Sequence, residues 1–274
     1  MTTCTSPGGQ DRISWYDIVM HGKQIFGYPS GERPKVVDRK GVRQLYFDKR
    51  HIQSAMRLDD PYALELVYTR MMMAFLLFAP SPAEVLIIGL GGGSLAKFCH
   101  RYLPGTRITV VEVNAEVIAL RQHFAVPDDE RMGIVHADAL EYLPGNDEKY
   151  AAILLDAFDA EGIAPSFADP GFYPAAAARL RPNGVFVANL VGDRVRWQGQ
   201  LKMMWSAFSR RVRIAPVPSE EEHYIAMAFH DPRLYRIPPD IDHTAGELMV
   251  RVPLDFEHLA QWVRKGDVAE AEDK

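Results

Sequence analysis

From residue 85 onward, apolar segments of strand length alternate with segments of helical character. The apolar segments read VLIIG, RITVVEV, GIVHAD, AAILLDAF and GVFVANLV, and between them stand SLAKFCHRYL, AEVIALRQHF, EYL and AAAARL. This alternation predicts a parallel sheet that is covered by helices on both faces and joined by right-handed crossovers. A further helix, QGQLKMMWSAFSRR, and strands near VRIAPVP and YIAMAF follow. We therefore expect an α/β fold with a mostly parallel, doubly wound sheet.

The chain before and after this alternation has a different character. Residues 1–11 are small and polar, which is typical of a disordered terminus, and residues 265–274 are charged and predict a disordered tail. Residues 12–60 hold short β-rich pieces broken by Gly and Pro, which predict a small antiparallel N-terminal β domain. The apolar stretch from Leu64 to Phe78 predicts a helix at the start of the main domain, which we place at 61–264.

The turn after the first strand of the alternation, VLIIGLGGGSL at 85–95, is unusually rich in glycine. In an open parallel sheet, ligands bind beyond the carboxyl ends of the strands, and this turn stands at such an end. Gly89, Gly91 and Gly93 would let a ligand approach the backbone closely. A tight strand-to-helix turn without a ligand is the alternative.

Carboxylates follow the next two strands. Glu112 ends ITVVEV, where it could accept hydrogen bonds from both ribose hydroxyls or be a solvated acid. Asp138, beside the small Ala139, could accept from the exocyclic amine of adenine or cap the following helix. Together with the turn they describe an adenosine site. Ser94 stands where a dinucleotide fingerprint has Gly or Ala, which favours S-adenosylmethionine or its decarboxylated form over NAD.

Asp156 ends the fourth strand, Asp159 follows three positions later, and a Gly- and Pro-containing segment, 160–171, is typical of a lid. An alkylamine is protonated at neutral pH and has no free lone pair. Carboxylates beside a sulfonium would attract that cation, and one of them could take its proton as attack begins. The alternative is that Asp156 only forms hydrogen bonds with the loop.

Four segments, VLIIGLGGG, VVEVNAEVI, HADALEYL and LLDAFDAEGIAPSFADPGFY, resemble in this order the spermidine synthase family, over roughly residues 45–195. The resemblance implies a methyltransferase-like Rossmann domain, a homodimer, and transfer of an aminopropyl group from decarboxylated S-adenosylmethionine to a small-molecule amine. It makes Asp156 the catalytic acid/base. It also implies cofactor contacts from Gln53, Glu112, Asp138 and Ala139, and acceptor contacts from Tyr68, Asp159 and, as a substitute for a family aromatic, Tyr224.

The sequence departs from that family's pattern on the acceptor side. Gly92 stands where the family carries an aspartate, and we expect it to leave open space there. Tyr68-Thr69-Arg70 replaces Tyr-His-Glu, and SEEEHYIAMAF lacks the usual aromatic pair. A small-molecule methyltransferase that uses intact S-adenosylmethionine therefore remains an alternative. So do a non-catalytic nucleoside-binding protein and an NAD-dependent dehydrogenase.

The composition limits the classes of partner that we expect. With 31 Lys+Arg against 36 Asp+Glu, the net charge of −5 argues against a nucleic-acid partner. The chain has two cysteines and no CxxC or HxxxH spacing, so we expect no metal. No signal peptide or bilayer-spanning stretch is evident, and we expect a cytoplasmic protein without a membrane partner. The run Glu220–Glu222 predicts a solvated loop, or an acidic rim that attracts polyamines, and His223 a surface residue.

Overall fold

The computed structural model describes residues 34–46, 52–159, 162–163, 165–192 and 194–268. Its strands are β1 (Lys35–Arg39), β2 (Val42–Tyr46), β3 (Ile52–Arg57), β4 (Glu84–Ile88), β5 (Arg107–Glu112), β6 (Met132–His136), β7 (Tyr150–Leu155), β8 (Phe158–Asp159), β9 (Gly162–Ile163), β10 (Leu180–Val191), β11 (Val212–Pro216), β12 (His223–Phe229) and β13 (Asp267–Val268). Its α-helices are α1 (Val67–Met72), α2 (Ser94–Tyr102), α3 (Ala115–Ala119), α4 (Ala139–Gly145), α5 (Phe172–Arg179), α6 (Arg194–Ala207), α7 (Pro232–Tyr235), α8 (Ile241–Arg251) and α9 (Phe256–Lys265).

The central sheet has eight strands in the order β13-β11-β12-β10-β7-β4-β5-β6. The pairs β10–β7, β7–β4, β4–β5 and β5–β6 are parallel, whereas β12 runs antiparallel to both of its neighbours. A separate antiparallel sheet, β1-β2-β3, precedes it. The predicted fold class, a mostly parallel doubly wound sheet with a small antiparallel N-terminal sheet, is confirmed.

Side chains of the central strands alternate between two apolar cores. Val85 and Ile87 of β4 belong to one core, with α1, α8 and α9, and Leu86 and Ile88 belong to the other, with α5 and α6. Burial on both faces explains why these strands read as continuous apolar runs instead of alternating ones. Polar groups therefore collect at the strand ends, where the pocket described below lies.

Some elements differ from the sequence-based expectation. The segment from Leu64 to Phe78 forms α1 and then a 3₁₀ helix, Met73–Leu77, whose side chains are all buried. A segment buried all round has no amphipathic stripe, so its pattern could not distinguish one continuous helix from two. Helices α7, α8 and α9 were not predicted. In the described part of the chain, no helix is long and apolar enough to cross a membrane.

The predicted disordered tail, 265–274, requires a correction over its first residues. Helix α9 extends to Lys265, and β13 pairs with β11 through Arg213 and Val268. The edge of β11 offers backbone hydrogen bonds to this polar segment, which its composition alone did not reveal. Residues 269–274, like the predicted disordered terminus 1–11, lie outside the described residues. The domain boundaries at 60 and 264 remain predictions.

Candidate active site

One pocket lies at the carboxyl ends of four parallel strands, β4 to β7. The sequence-predicted residues that line it are Gln53, Tyr68, Gly89, Gly91, Glu112, Asp138, Ala139 and Asp156. Gln53 comes from the N-terminal sheet and Tyr68 from α1, and the others follow the parallel strands. Because the carboxyl ends of parallel strands meet at one edge of a sheet, residues far apart in sequence converge there.

The glycine turn brings the backbone of β4 against that of β7. Gly89 has φ +98°, and a Cβ at this position would overlap the main-chain carbonyl oxygen of Asp156. The amide of Asp156 in turn donates to the carbonyl of Ile88 at 2.9 Å. Only glycine fits this left-handed conformation and this close approach, so the turn fixes the backbone position of Asp156.

Glu112 is held by main-chain amides on both sides. Its Oε2 accepts from the amide of Leu90 in the glycine turn, and its Oε1 accepts from the amide of Asn114, each at 2.8 Å. A carboxylate has about four lone-pair sites, so both oxygens can still accept from a ligand. Glu112 is therefore a rigid acceptor pair at the pocket wall, suited to two neighbouring hydroxyl groups.

Asp138 combines the two roles that its sequence position allowed. Its Oδ1 accepts from the amide of Leu140 at 2.9 Å, which makes it the N-cap of α4. The same residue lines the pocket beside Ala139. One carboxylate oxygen thus caps the helix, and the second is available to an amine donor in the pocket.

Asp156 is the pocket-lining carboxyl group whose pKa is raised. Its Oδ2 accepts from the hydroxyl of Tyr68 at 3.3 Å, and its Oδ1 accepts from Nδ2 of Asn189 at 3.1 Å. Burial raises the pKa of Asp156 to about 6, against the hydrogen bonds from Asn189 and Tyr68 and the charge of His223. Burial also raises the pKa of Tyr68, so its hydroxyl stays protonated and donates. A carboxylate with this pKa can accept a proton near neutral pH.

The expectation about Gly92 is wrong. A Cβ at Gly92 would stand 2.5 Å from Oγ of Ser54 and 2.9 Å from a ring carbon of Phe124, so the position is filled and not open. Strand β3 carries Ser54 against the turn. Thr69, another altered position, donates from Oγ1 to the carbonyl of Leu66 at 2.6 Å, so it stabilises the start of α1.

Three sequence-predicted residues stand apart from the pocket lining. Gly93 is the N-cap of α2, with φ +69°. Tyr224 lies on β12, where its ring packs on Trp197 with the centroids 5.2 Å apart. The backbone of Asp159 belongs to β8, and its side chain lies outside what the structure describes. From the segment 160–171, Phe167 lines the pocket, and 160, 161 and 164 lie outside the described residues.

Three polar residues behind Asp156 were missed by sequence reasoning. Asn189 and His223 are each 1% exposed, and Glu220 is 8% exposed. The predictions of a solvated loop at Glu220 and of a surface histidine at 223 are therefore wrong. One signal was present: Asn189 is a polar residue inside the otherwise apolar strand GVFVANLV. Among the described residues, no group of three or more His, Cys, Asp or Glu side chains is arranged to hold a metal ion.

Comparison with known proteins adds a family-level similarity. The model of the spermine/spermidine synthase domain matches residues 65–201. The chain is 33% identical over 228 residues to the polyamine aminopropyltransferase of Neisseria meningitidis, which covers 82% of this chain and 86% of that protein. It is also 36% identical over 153 residues to the eEF1A lysine and N-terminal methyltransferase of Xenopus laevis, which covers 49% of this chain and 22% of that protein.

Solved structures share the fold. A probable spermidine synthase from Corynebacterium glutamicum superposes with a TM-score of 0.65 at 21% identity, over 89% of this chain and 95% of that one. Human methyltransferase-like protein 13 in complex with SAH superposes with a TM-score of 0.61 at 24% identity, over 68% of this chain and 92% of that one. These identities support the fold alone.

Proposed function

Because this chain belongs to the spermine/spermidine synthase family, we propose that it transfers an aminopropyl group from decarboxylated S-adenosylmethionine to a small-molecule amine, as a step of polyamine synthesis. The observation that carries the proposal is the position of Asp156. Its carboxylate stands in the same pocket as Glu112 and Asp138, and its pKa of about 6 suits the deprotonation of an amine.

The adenosine half of the donor fits three features of the pocket. The fixed carboxylate of Glu112 would accept from the two ribose hydroxyls. Asp138 would accept from the adenine amine, with the small Ala139 beside it, and Gln53 would contact the donor from the N-terminal sheet. The glycine turn would let the donor's sulfonium tail lie along the backbone.

The reaction balances with this chain's groups alone. The acceptor enters as an ammonium ion, and Asp156 takes one proton from it and frees the nitrogen lone pair. That lone pair attacks the carbon of the aminopropyl group that is bonded to the sulfonium sulfur. A C–N bond forms, and the C–S bond breaks with its electron pair on sulfur. Methylthioadenosine leaves as a neutral thioether, and Asp156 releases its proton to solvent. Since the sulfonium is already a good leaving group, the protein mainly positions and deprotonates. Tyr68 and Asp159 are proposed to hold the acceptor.

A methyltransferase that uses intact S-adenosylmethionine is the second candidate. The observation that favours it is Gly92, where the family carries an aspartate and this chain places Ser54 and Phe124 instead. Without that acid, a donor that retains its carboxylate meets less repulsion. The 36% identity to a methyltransferase over part of the chain agrees with this alternative. We also propose a cytoplasmic homodimer, which size measurement in solution would test.

The first experiment is a calorimetric titration with methylthioadenosine, S-adenosylmethionine and its decarboxylated form, followed by assay of methylthioadenosine release with putrescine and other amines. Tighter binding of the decarboxylated form and release on adding an amine would support aminopropyl transfer. Preference for intact S-adenosylmethionine would favour methyl transfer, and binding without turnover would favour a nucleoside-binding protein. Binding of none of the three would overturn the adenosine site.

Asp156→Asn tests the base directly. We expect its transfer rate to fall by roughly 10²- to 10⁴-fold while methylthioadenosine affinity stays within about three-fold. Asp128→Asn is a matched control, because the Asp128 side chain is 75% exposed and is not among the residues that line the pocket. An Asp156→Asn variant as active as the wild type would exclude Asp156 as the base.

A further inference from the structure

Buried polar side chains form a hydrogen-bonded chain that ends on Asp156. Oδ1 of Asp156 accepts from Nδ2 of Asn189 at 3.1 Å, and Oδ1 of Asn189 is 2.5 Å from Nε2 of His223. Nδ1 of His223 is in turn 2.5 Å from Oε2 of Glu220. Burying polar groups is costly unless they are paired, and among the described residues Oε1 of Glu220 has no hydrogen-bond partner. Burial of these side chains at such a cost points to a function beyond packing.

Strand register places the members of this chain. Ala188 of β10 pairs with Leu155 of β7, so Asn189 stands level with Asp156, the next residue after β7. On the other side, Asn189 pairs with Ile225 of β12, and His223 lies two residues away on the same face. Diagonal neighbours on one face of a sheet are within side-chain reach.

The hairpin between β11 and β12 turns Glu220 inward. The amide of Val217 donates to the carbonyl of His223 at 2.8 Å and closes the loop. Ser219 and Glu222 have φ +65° and +52°, a conformation that non-glycine residues adopt rarely. The first glutamate of the run therefore lies behind His223, whereas Glu221 and Glu222 are exposed, as the composition predicts.

The polarity of the chain follows from which atoms can donate. An ionised Asp156 only accepts, so the Asn189 amide must present its NH₂ group to Asp156 and its oxygen to His223. Nε2 of His223 must then donate to that oxygen. Nδ1 faces Oε2 of Glu220, so an ionised Glu220 would accept from it, and the charge of His223 lowers the pKa of Asp156. The Tyr68 ring packs on this imidazole with centroids 5.3 Å apart.

We propose that Glu220, His223 and Asn189 are positioning residues for Asp156. They hold its Oδ1 toward Asn189, so that Oδ2 stays on the side of Tyr68, which lines the pocket. The charge of His223 favours the ionised carboxylate. The use of the Asp156 carboxylate in proton transfer rests on the proposed function. The electrostatic coupling of Asp156 to His223 and Glu220 does not. Asn189 moves no proton; it transmits orientation and the charge of His223.

The electrostatics around Asp156 agree with this assignment. Burial raises its pKa to about 6, and the hydrogen bonds from Asn189 and Tyr68 and the positive charge of His223 lower it from what burial alone would give. The titratable groups that face it in the described residues are Tyr68 from α1 and His223 from β12, with Glu220 behind the latter. Weakening the His223–Glu220 pair should therefore make Asp156 harder to ionise.

The primary test is an NMR titration that needs no turnover. The protein is labelled with ¹³C at the aspartate side-chain carboxyls, and the Asp156 signal is identified by its loss in Asp156→Asn. We expect a midpoint near pH 6 in the wild type and an upward shift of roughly one pH unit in His223→Gln. Glu220→Gln, which keeps the shape and removes the charge, should shift it in the same direction by less.

A matched histidine provides the control. His223 is the first residue of β12, and His230 directly follows its last residue. Nε2 of His230 contacts the carbonyl of Ala177 at 2.7 Å, and neither residue lines the pocket. His230→Gln should leave the Asp156 midpoint unchanged. If His223→Gln fails to fold, the nearly isosteric Glu220→Gln decides. An unmoved midpoint in the folded variants overturns the proposal.

Activity then separates this proposal from the proposed function. In Glu220→Gln the acid limb of the pH–rate profile should move up by the same interval as the Asp156 midpoint, with kcat reduced and KM for the amine little changed. A shifted midpoint in a protein that transfers nothing to any amine would keep the coupling and refute the transfer reaction. If Glu220→Gln kept full transfer activity, with neither the Asp156 midpoint nor the acid limb moved, the transfer reaction would stand and the coupling would be refuted.

Discussion

At the scale of single residues, the position of Asp156 suits a base but lowers the stability of the folded protein. A carboxyl whose pKa is raised by burial is held in an unfavourable ionised state above that pKa. The surrounding donors, Asn189 and Tyr68, recover only part of the lost solvation. Groups with perturbed pKa values concentrate at functional sites for this reason, since a base must titrate near the pH at which it works.

Asp156→Asn should therefore stabilise the protein at neutral pH. The unfolded carboxyl titrates near 3.8 and the folded one near 6, so between these values the folded state keeps a proton that the unfolded state has lost. The free energy of unfolding of the wild type then falls as pH rises through this window and stays low above it. At 1.36 kcal/mol per pH unit, we expect the variant to gain about 2 to 3 kcal/mol at pH 7.5.

Denaturant unfolding at pH 7.5 and pH 4 measures this difference. The gain should be largely lost at pH 4, because the wild-type carboxyl is then protonated in the folded state. The exposed Asp128→Asn should show no such pH-dependent gain. A variant that is no more stable than the wild type at pH 7.5 would contradict the raised pKa.

The positions of the strand-end acids could be predicted from the sequence. The hydrogen-bonded side chains behind Asp156 could not. Glu112, Asp138 and Asp156 each follow an apolar strand, so their common edge follows from the parallel topology. The contact between Asn189 and His223 depends on how β10 and β12 pair, and that register is set by the whole sheet. A run such as Glu220–Glu222 has the composition of a solvated loop whichever way its first side chain points.

At the scale of elements, the N-terminal strand β3 and the glycine turn form one unit. Ser54 of β3 and Phe124, from a 3₁₀ helix that precedes β6, fill the space above Gly92. The sequence predicted the turn from its glycines, because four glycines in five positions directly after a strand are typical of a close approach to the backbone. It could not predict the crowding at Gly92, because Ser54 belongs to a different sheet and its approach is a tertiary contact.

Gly92→Ala should destabilise the protein by about 1 to 3 kcal/mol, because its methyl group overlaps Ser54 in a packed site. The turn lines the pocket, so affinity for methylthioadenosine should fall as well. Adding Ser54→Gly should recover part of the loss in stability, which a double-mutant cycle by denaturant unfolding would measure. Gly105→Ala is the control, since a Cβ at Gly105 meets nothing within 4 Å. Equal, small losses at both glycines would contradict the crowding.

At the scale of the whole molecule, the C-terminal helices close one face of the sheet and are tied to its edge. The alternation of strands and helices predicted the parallel core and the hand of its crossovers, whereas the order of the strands comes from the structure. It did not predict α7, α8 and α9, which follow the last predicted strand. Their side chains pack with the segment Met73–Leu77 in one core. Contacts of such long sequence separation leave no periodic signal.

The side chain that ties these helices to the sheet is Arg213 of β11, which is 7% exposed. Its Nη2 donates to the carbonyls of Val263 and Gly266 at the end of α9, each at 3.1 Å, and its Nη1 donates to the carbonyl of Tyr235 at 3.4 Å. A cation at a helix C-terminus complements the dipole and satisfies carbonyls that lack helical partners.

Arg213→Met keeps an unbranched apolar stem and removes every donor, so the carbonyls of Tyr235, Val263 and Gly266 lose their partner. We expect a loss of about 2 to 4 kcal/mol in the free energy of unfolding, measured by denaturant titration. Arg233→Met provides the comparison, because the Arg233 side chain is 88% exposed and its solvent-screened pair with Asp231 should contribute little to stability. Hydrogen exchange should also become faster in α9 than in β4, since the loss acts where the helix meets the sheet edge. Equal losses of stability in the two arginine variants would contradict the contribution of the Arg213 hydrogen bonds.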